Sequence, residues 1–165
     1  LLSKKPFENI MVSEICEISN YPRATFYNYF EDKYDLLNYC WDCFGEKIDF
    51  QNDYDYMDTD EKMYDLFNSL YDFFEKNIEI LRRITKQNNP NGEFMQIFKI
   101  YMKNQINIKI KGCSCVEKKK VPHEMLLEHY SNTVVLVLEW GFLKENILSK
   151  EDAKIYLKYL LEGGI

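Results

Sequence analysis

The chain has 165 residues, of which 46% are apolar and 16% aromatic, and it contains only four prolines and six glycines. This composition excludes a disordered chain and is typical of a globular helical protein. The formal net charge of −6 is spread unevenly, with −1 over residues 1–33, −10 over 34–79 and +5 over 80–165. Overall acidity therefore does not exclude a nucleic-acid contact in one part of the chain.

The length of the apolar runs and the spacing of the cysteines indicate the cellular compartment. No apolar run reaches the ~18 to 20 residues that a membrane-spanning helix needs, and the opening LLSKKPFENI lacks the apolar core of a signal peptide. The five cysteines, at positions 16, 40, 43, 113 and 115, follow no disulfide-framework spacing, so reduced thiols are expected. We predict a soluble, cytoplasmic protein with no membrane partner.

Apolar residues recur at helical spacing, and no segment alternates as a strand would, which predicts an all-α fold of seven or eight helices. The first third predicts a helix end through about Lys5 and then a turn at PFEN. Short helices near 12–18 and 23–29 follow, separated by the turn SNYP. A long helix is then N-capped by Asp32 and ends before the acidic linker FQNDYDYMD.

The rest of the chain predicts five further helices. The first begins with Thr59 as its N-cap and runs to about Lys76, and the next two cover IEILRRITKQ and EFMQIFKIYMKNQINIKI on either side of the turn NNPNG. After the loop KGCSCVEKKKVP come HEMLLEHYSNTVVLVLEWGFLKEN and a final helix over SKEDAKIYLKYLLE. Ser149 and Asp152 are predicted to form a capping box for this last helix.

Residues 12–30 predict a helix-turn-helix. Two helices this short are unstable alone, so they are expected to pack on a third helix. Asn20 stands in the turn, where a residue tolerant of positive φ is needed. The residues predicted to form the apolar faces of the two helices are Val12, Ile15, Ile18, Phe26 and Phe30.

The outer face of the second short helix is predicted to present mostly polar side chains. With Phe26 directed inward and about 100° between successive residues, that face comprises Arg23, Ala24, Thr25, Tyr27 and Asn28. Arginine can pair with guanine and asparagine with adenine, while methyl groups meet thymine and hydroxyls reach phosphate. The face therefore suits insertion into a major groove of DNA.

The stretch FENIMVSEICEISNYPRATFYNYFEDKYDLL resembles the DNA-binding domain of TetR-type transcriptional regulators. Its most specific part is TFYNYF followed three residues later by Lys33. The resemblance implies a helix-turn-helix DNA-binding domain over 1–37, whose first helix is represented by its last turn. It also implies a helical effector-binding and dimerisation domain over 38–165, and a homodimer that binds a palindromic DNA operator, as in a repressor.

The resemblance assigns DNA contacts by position. It implies that Arg23, Ala24 and Asn28 lie near base edges. It implies phosphate contacts from the side chains Thr25, Tyr27, Tyr29 and Lys33, the last from the start of the long helix. Ser13, on the preceding helix, is a further candidate.

Three positions depart from the family pattern. Met11 replaces a threonine cap, Asn20 replaces the turn glycine, and Pro22 replaces the serine or threonine that opens the recognition helix. Asparagine tolerates positive φ and proline is acceptable in a first helical turn, so only a side-chain cap is expected to be lost.

The last third, LLEHYSNTVVLVLEWGFLKENILSKEDAKIYLKYLL, is similar to a subgroup of the same family. There a Trp-containing helix precedes a Ser-capped final helix. Some members of that subgroup look like co-activators that bind another protein in place of a small effector. The alternative prediction is therefore a co-regulator of the same fold that is controlled by a protein partner.

The residues themselves also predict dimerisation. In VVLVLEWGFL apolar side chains point in nearly every direction around the helix, so more than one side must be covered. One side is expected to face its own core and the other a partner, in a symmetric four-helix contact. The predicted interface residues are Val134, Leu138, Phe142, Ile155, Tyr156, Tyr159 and Leu160.

Abundant aromatic residues in the helical remainder, together with the family resemblance, suggest a pocket for a small apolar or aromatic effector. Gln105 or Tyr71 would serve as its polar anchor. The residues predicted to line it are Phe67, Tyr71, Phe74, Phe98, Tyr101, Met102, Gln105 and Trp140.

No motif predicts catalysis, a cofactor or a metal. Cys40-x-x-Cys43 has no second pair, Cys113-x-Cys115 has no further ligands, and neither His123 nor His129 has a motif that would pair it with a cysteine. The acidic run from 53 to 61 lacks the central glycine of a calcium loop. An enzyme is therefore not predicted.

Overall fold

The computed structural model describes residues 1–46, 48, 59–110, 121–144 and 148–163, and these are helical with no strand. The predicted all-α fold is therefore confirmed. A 3-10 turn at Phe7–Asn9 precedes eight α-helices in the described ranges. They are α1 Val12–Ser19, α2 Arg23–Tyr27, α3 Lys33–Gly45, α4 Thr59–Lys76, α5 Ile78–Gln87, α6 Glu93–Ile110, α7 His123–Leu138 and α8 Lys150–Glu162. The linker 50–58 and most of the loop predicted before α7, residues 111–120, lie outside the described residues.

The turn between α1 and α2 is set by Asn20, which has a φ of 57° and a ψ of 34°. Its N–H donates to the Glu17 carbonyl, and the Tyr21 N–H donates to the Cys16 carbonyl at 3.0 Å. These two bonds form a Schellman motif, in which the left-handed residue ends the helix. The predicted positive φ is confirmed, and Pro22 then opens α2 without a side-chain cap.

The apolar face of α1 differs from the prediction at one position. Cys16 is buried, and Val12 and Ile15 are half-buried beside it, whereas Ile18 is 64% exposed. Two residues correspond to about 200° of helical rotation, so a helix that directs Cys16 inward must direct Ile18 outward. The assignment of Ile18 to the core was wrong.

Asp32 caps α3 as predicted. Its Oδ1 accepts from the backbone N–H groups of Tyr34 and Asp35, at 2.8 and 2.9 Å. The Asp35 carboxylate in turn accepts from the Glu31 N–H at 3.0 Å. The start of α3, which follows α2 by five residues, is therefore fixed by side-chain caps.

Replacing Asp32 with alanine is expected to lower the free energy of unfolding by about 1 kcal/mol, because two N–H groups of the first turn lose their acceptor. Urea titration followed by circular dichroism measures this change. Glu31→Ala is the matched control, since it removes an exposed acid next to the cap and should change stability by less than about 0.5 kcal/mol. Equal effects of the two substitutions would show that the cap contributes nothing specific.

Two groups of buried side chains hold the helices together. The larger is built from α4, α6, α7 and α8, and it includes Phe67, Val134 and Leu157, which are fully buried. The smaller joins the N-terminal segment to α6; its buried members are Phe7, Ile10, Leu37, Phe94 and Met95. The domain boundary predicted after residue 37 thus falls inside α3, next to a residue that packs with α6.

The last turn after α7 is wider than an α-helix. Glu139–Leu143 forms a π-helical turn, where the sequence predicted an unbroken helix. The Glu139 carboxylate pairs with Lys99 Nζ of α6 at 3.2 Å, and Phe142 is buried in the larger core.

The Ser149 hydroxyl, as predicted, caps α8 by accepting from the Asp152 N–H at 3.1 Å. In the described ranges, none of the helices combines the length and apolarity needed to cross a bilayer.

Candidate functional site

The outer face of α2 is presented to solvent. Arg23, Ala24 and Asn28 are exposed, as are the rings of Tyr27 and Tyr29, while Thr25 is half-buried. Phe26 alone in this helix is buried. The predicted orientation of the helix is therefore the observed one, and the role of these side chains as DNA contacts stays a prediction.

Aromatic rings attach α2 to its scaffold. The Phe26 ring lies 5.3 Å from that of Tyr27 and 5.5 Å from that of Phe30, and Phe30 lies 5.5 Å from Tyr39 of α3. Such pairs add to the stabilisation from burial alone. Phe30, predicted to be core, is only half-buried, because it bridges α2 and α3 at the surface.

Lys33 has a different role from the predicted one. Its Nζ donates to the backbone carbonyls of Phe7, Glu8 and Ile10, at 3.0, 3.0 and 3.1 Å. The ammonium also lies 4.7 Å from the centre of the Phe7 ring, in cation–π geometry. An ammonium has three N–H donors, and all three are used here. The prediction that Lys33 holds a DNA phosphate is therefore corrected: it fastens the start of α3 to the 3-10 turn.

Few cations near α2 are left for an external anion. Of the four basic residues between 1 and 33, a segment described in full, Lys33 is engaged as above and Lys5 pairs with Glu14 of α1. Lys4 and Arg23 remain, and both are exposed. Any phosphate contacts made by this segment must therefore depend heavily on neutral donors, such as the tyrosine hydroxyls.

A cavity of about 650 Å³ lies among α3, α4, α5 and α6. Five of the eight residues predicted to line a pocket border it, namely Phe74, Phe98, Tyr101, Met102 and Gln105. The sequence did not indicate that α3 and α5 contribute as well. Their residues at the cavity include Trp41, Phe44, Ile80, Leu81 and Ile84. The apolar residues of IEILRRIT were the available signal in the sequence, since an apolar stripe on a short, highly charged helix either packs on the core or borders a groove or cavity.

The three other predicted pocket residues lie elsewhere. Phe67 is fully buried in the larger core. The Tyr71 hydroxyl donates to the Leu148 carbonyl at 2.6 Å, so it serves the loop before α8 and not the cavity. Trp140 is 43% exposed on the outside of the π-helical turn, with Lys144 Nζ 4.5 Å from its ring centre. These three assignments to the pocket were wrong.

Polar side chains border the cavity at several points, and two of them are joined by a hydrogen bond. The Tyr101 hydroxyl donates to Asp42 Oδ1 at 3.1 Å, and a side chain at Gly45 would place its Cβ 3.1 Å from that hydroxyl. Burial, followed by the bond to the Asp42 carboxylate, raises the pKa of the Tyr101 hydroxyl well above its ordinary value, so it stays protonated. Gln105 lies one turn further along α6 and Glu46 one turn further along α3. The remaining lining is mainly aliphatic and aromatic.

Three of the seven predicted dimer contacts are buried and the other four are exposed. Val134, Leu138 and Phe142 are buried in the core of their own chain, so they cannot form a subunit interface. These side chains point inward because α7 packs on both α6 and α8, and the two contacts cover most of its apolar residues. The exposed apolar side chains on α7, its π-helical turn and α8 are Met125, Leu136, Trp140, Ile155, Tyr156, Tyr159 and Leu160. We call this set the α7–α8 surface.

The environment of Cys40 in α3 disfavours a reactive thiolate. Burial raises the pKa of the Cys40 thiol, and the neighbouring Cys43 adds to the shift, which disfavours the thiolate. Within the described ranges, no three histidine, cysteine, aspartate or glutamate side chains cluster as metal ligands would.

Comparisons with protein-family models, with curated proteins and with solved structures gave no match to this chain.

Proposed function

We propose that the chain is a TetR-like transcriptional regulator that binds double-stranded DNA through the outer face of α2. The observation that carries the proposal is the geometry of residues 12–30. A left-handed Asn20 turn joins two short helices, and the second buries Phe26 while presenting Arg23 and Ala24 to solvent, with its exposed C-cap residue Asn28 directly after them. Helix-turn-helix proteins read base edges with such a second helix.

A homodimer would present two α2 helices to one face of DNA. The α7–α8 surface supports this part of the proposal, because seven large apolar side chains are exposed on two adjacent helices and the turn between them. Apolar patches of this kind are typical of subunit interfaces. With the two recognition helices about 34 to 36 Å apart, each would enter a successive major groove.

The effector is proposed to be a small apolar or aromatic molecule in the cavity. The cavity volume lies in the range of small-molecule sites, and its lining is mostly apolar with a few polar groups. Such a molecule can lower operator affinity only if it binds more tightly to a state in which the recognition helices are differently spaced.

The aromatic fluorophore N-phenyl-1-naphthylamine tests the cavity. We expect its fluorescence to rise on binding, and Ile80→Trp to weaken this binding at least about fivefold, because the larger ring occupies cavity volume. Ile108→Trp is the matched control, since Ile108 is also exposed, lies on cavity-forming α6 and does not line the cavity. Equal loss in both variants, or none in either, would contradict binding in the cavity.

An electrophoretic mobility shift with the DNA upstream of the chain's own coding region tests DNA binding. We expect a retarded complex at low salt that unrelated DNA competes for poorly. If Lys4 and Arg23 of two subunits supply the cations, about four phosphates are neutralised, and log K should fall with log salt at a slope of about −4. Absence of a complex with a chain shown to be dimeric would reject the proposal.

One observation favours a second candidate, a co-regulator of the same fold that is controlled by a protein partner. The segment 1–33 has a net charge of −1, and two of its four cations are engaged internally. A dimer that binds no DNA, yet retains the exposed α2 face, would favour this candidate.

A further inference from the structure

A buried asparagine connects the helix that lines the cavity to the N-terminal segment. Asn88 follows the last residue of α5, and it is 2% exposed. Its Oδ1 accepts from the Phe7 N–H at 2.8 Å. Its Nδ2 donates to the carbonyls of Ile84 and Leu2, at 2.8 and 3.2 Å. We call these three bonds the Asn88 tie.

One end of the Asn88 tie lies at the wall of the cavity. Ile84 and Thr85 line the cavity, and the Ile84 carbonyl is one of the acceptors in the tie. Any change in the position of the last turn of α5 on ligand binding therefore acts directly on the Asn88 amide, because the two are joined by a buried hydrogen bond.

On its other side the tie reaches the segment that supports the helix-turn-helix. The Phe7 N–H is held by Asn88, and the Phe7 carbonyl accepts from Lys33 Nζ at the start of α3. The Phe7 ring packs in the smaller core with Leu37 of α3. A displacement of Phe7 would therefore act on α3, whose Tyr39 ring contacts Phe30 in the segment between α2 and α3.

The wall of the cavity makes a second connection. Phe94 and Met95 line the cavity and are also buried against Phe7, Ile10 and Leu37. The Phe7 and Phe94 ring centres lie 5.9 Å apart. Close-packed side chains transmit displacement, so a ligand that moves Phe94 also moves Phe7.

We infer that Asn88 is the positioning residue that couples occupancy of the cavity to the orientation of the helix-turn-helix. A buried amide that loses its partners destabilises the fold, so the tie favours one arrangement of α5 and the N-terminal segment over intermediate ones. This inference rests on the proposed effector cavity. It adds the residue through which the cavity acts.

Hydrogen exchange at the Phe7 amide tests the inference directly, because the acceptor of that amide is Asn88 itself. We expect saturating N-phenyl-1-naphthylamine to change the exchange rate of Phe7 at least about fivefold. The Ala153 amide is the control, since it donates to Ser149 at the start of α8 and should not respond. Bound probe with no change at Phe7, or an equal change at both amides, would overturn the inference.

The variant Asn88→Ala gives an independent measurement. It should still enhance the probe's fluorescence, while the effect of the probe on exchange at Phe7 falls at least about threefold and only the part transmitted through Phe94 remains; an effect as large as in the natural chain would overturn the inference. Should this variant fail to fold, the measurement on the natural chain decides alone. A probe that does not bind the natural chain at all would reject the effector cavity and this inference together, which distinguishes that failure from loss of coupling alone.

Discussion

Replacing Lys33 with methionine is expected to lower the free energy of unfolding by about 2 to 3 kcal/mol, because hydrogen bonds from a charged group are lost and part-buried carbonyls are left unpaired. The carbonyls of Phe7 and Ile10 account for most of this effect, since that of Glu8 is exposed to water. Urea unfolding followed by circular dichroism measures the change. Methionine keeps much of the aliphatic chain, so the loss reports the ammonium.

Lys4→Met is the control for this experiment. Lys4 lies in the same segment and is exposed, so its replacement should change stability by less than about 0.5 kcal/mol. The phosphate role that the family resemblance implied for Lys33 makes the opposite prediction, with unchanged stability and a shallower salt dependence of DNA binding. That pattern would show that our assignment of Lys33 to the 3-10 turn is wrong.

Introducing glutamate at Leu136 or at Tyr159 is expected to raise the dissociation constant of the homodimer at least about 100-fold. Each substitution places a charge within the α7–α8 surface, where burial on association would remove its hydration. Both side chains are exposed in the single chain, so the fold of the subunit should be retained. Sedimentation velocity across a concentration series measures the dissociation constant.

Two further variants control this result. Ile100→Glu changes an isoleucine that is exposed on α6 and is not a member of the α7–α8 surface, so it should leave the dimer intact. Val134→Glu should unfold the subunit instead, because Val134 is fully buried in its own core. A natural chain that sediments as a monomer at micromolar concentration would remove the basis for the dimer.

Local features of the fold were predictable because they depend on neighbouring residues. Asn20 was assigned a positive φ, and Asp32 and Ser149 were assigned as caps, from short-range chemistry that tertiary packing did not override. The helical period also located α5 and α6 to the residue. The π-helical turn at Glu139–Leu143 was not predicted, because it depends on contacts with other helices.

Features that depend on long-range contacts were not predictable in the same way. The carbonyls that hold Lys33 lie more than 20 positions away, and the residues that bury Val134 are distributed over several helices. An apolar pattern all around a helix shows that several sides are covered, without showing which side faces the core. The cavity was predicted from α4, α6 and Trp140 for the same reason, and its walls from α3 and α5 required the structure.

Selection of bound sequences from a random pool of DNA duplexes tests the central claim most directly, because every possible operator sequence competes in the same pool. We expect the natural dimer to enrich an inverted repeat whose half-site centres lie about 10 base pairs apart or a multiple of this. Asn28→Ala, which changes only the exposed C-cap residue of α2, should keep the repeat and lose preference at one position in each half-site. A dimer that enriches no sequence, or an Asn28→Ala variant with unchanged preference at every position, would contradict the claim that this face reads DNA.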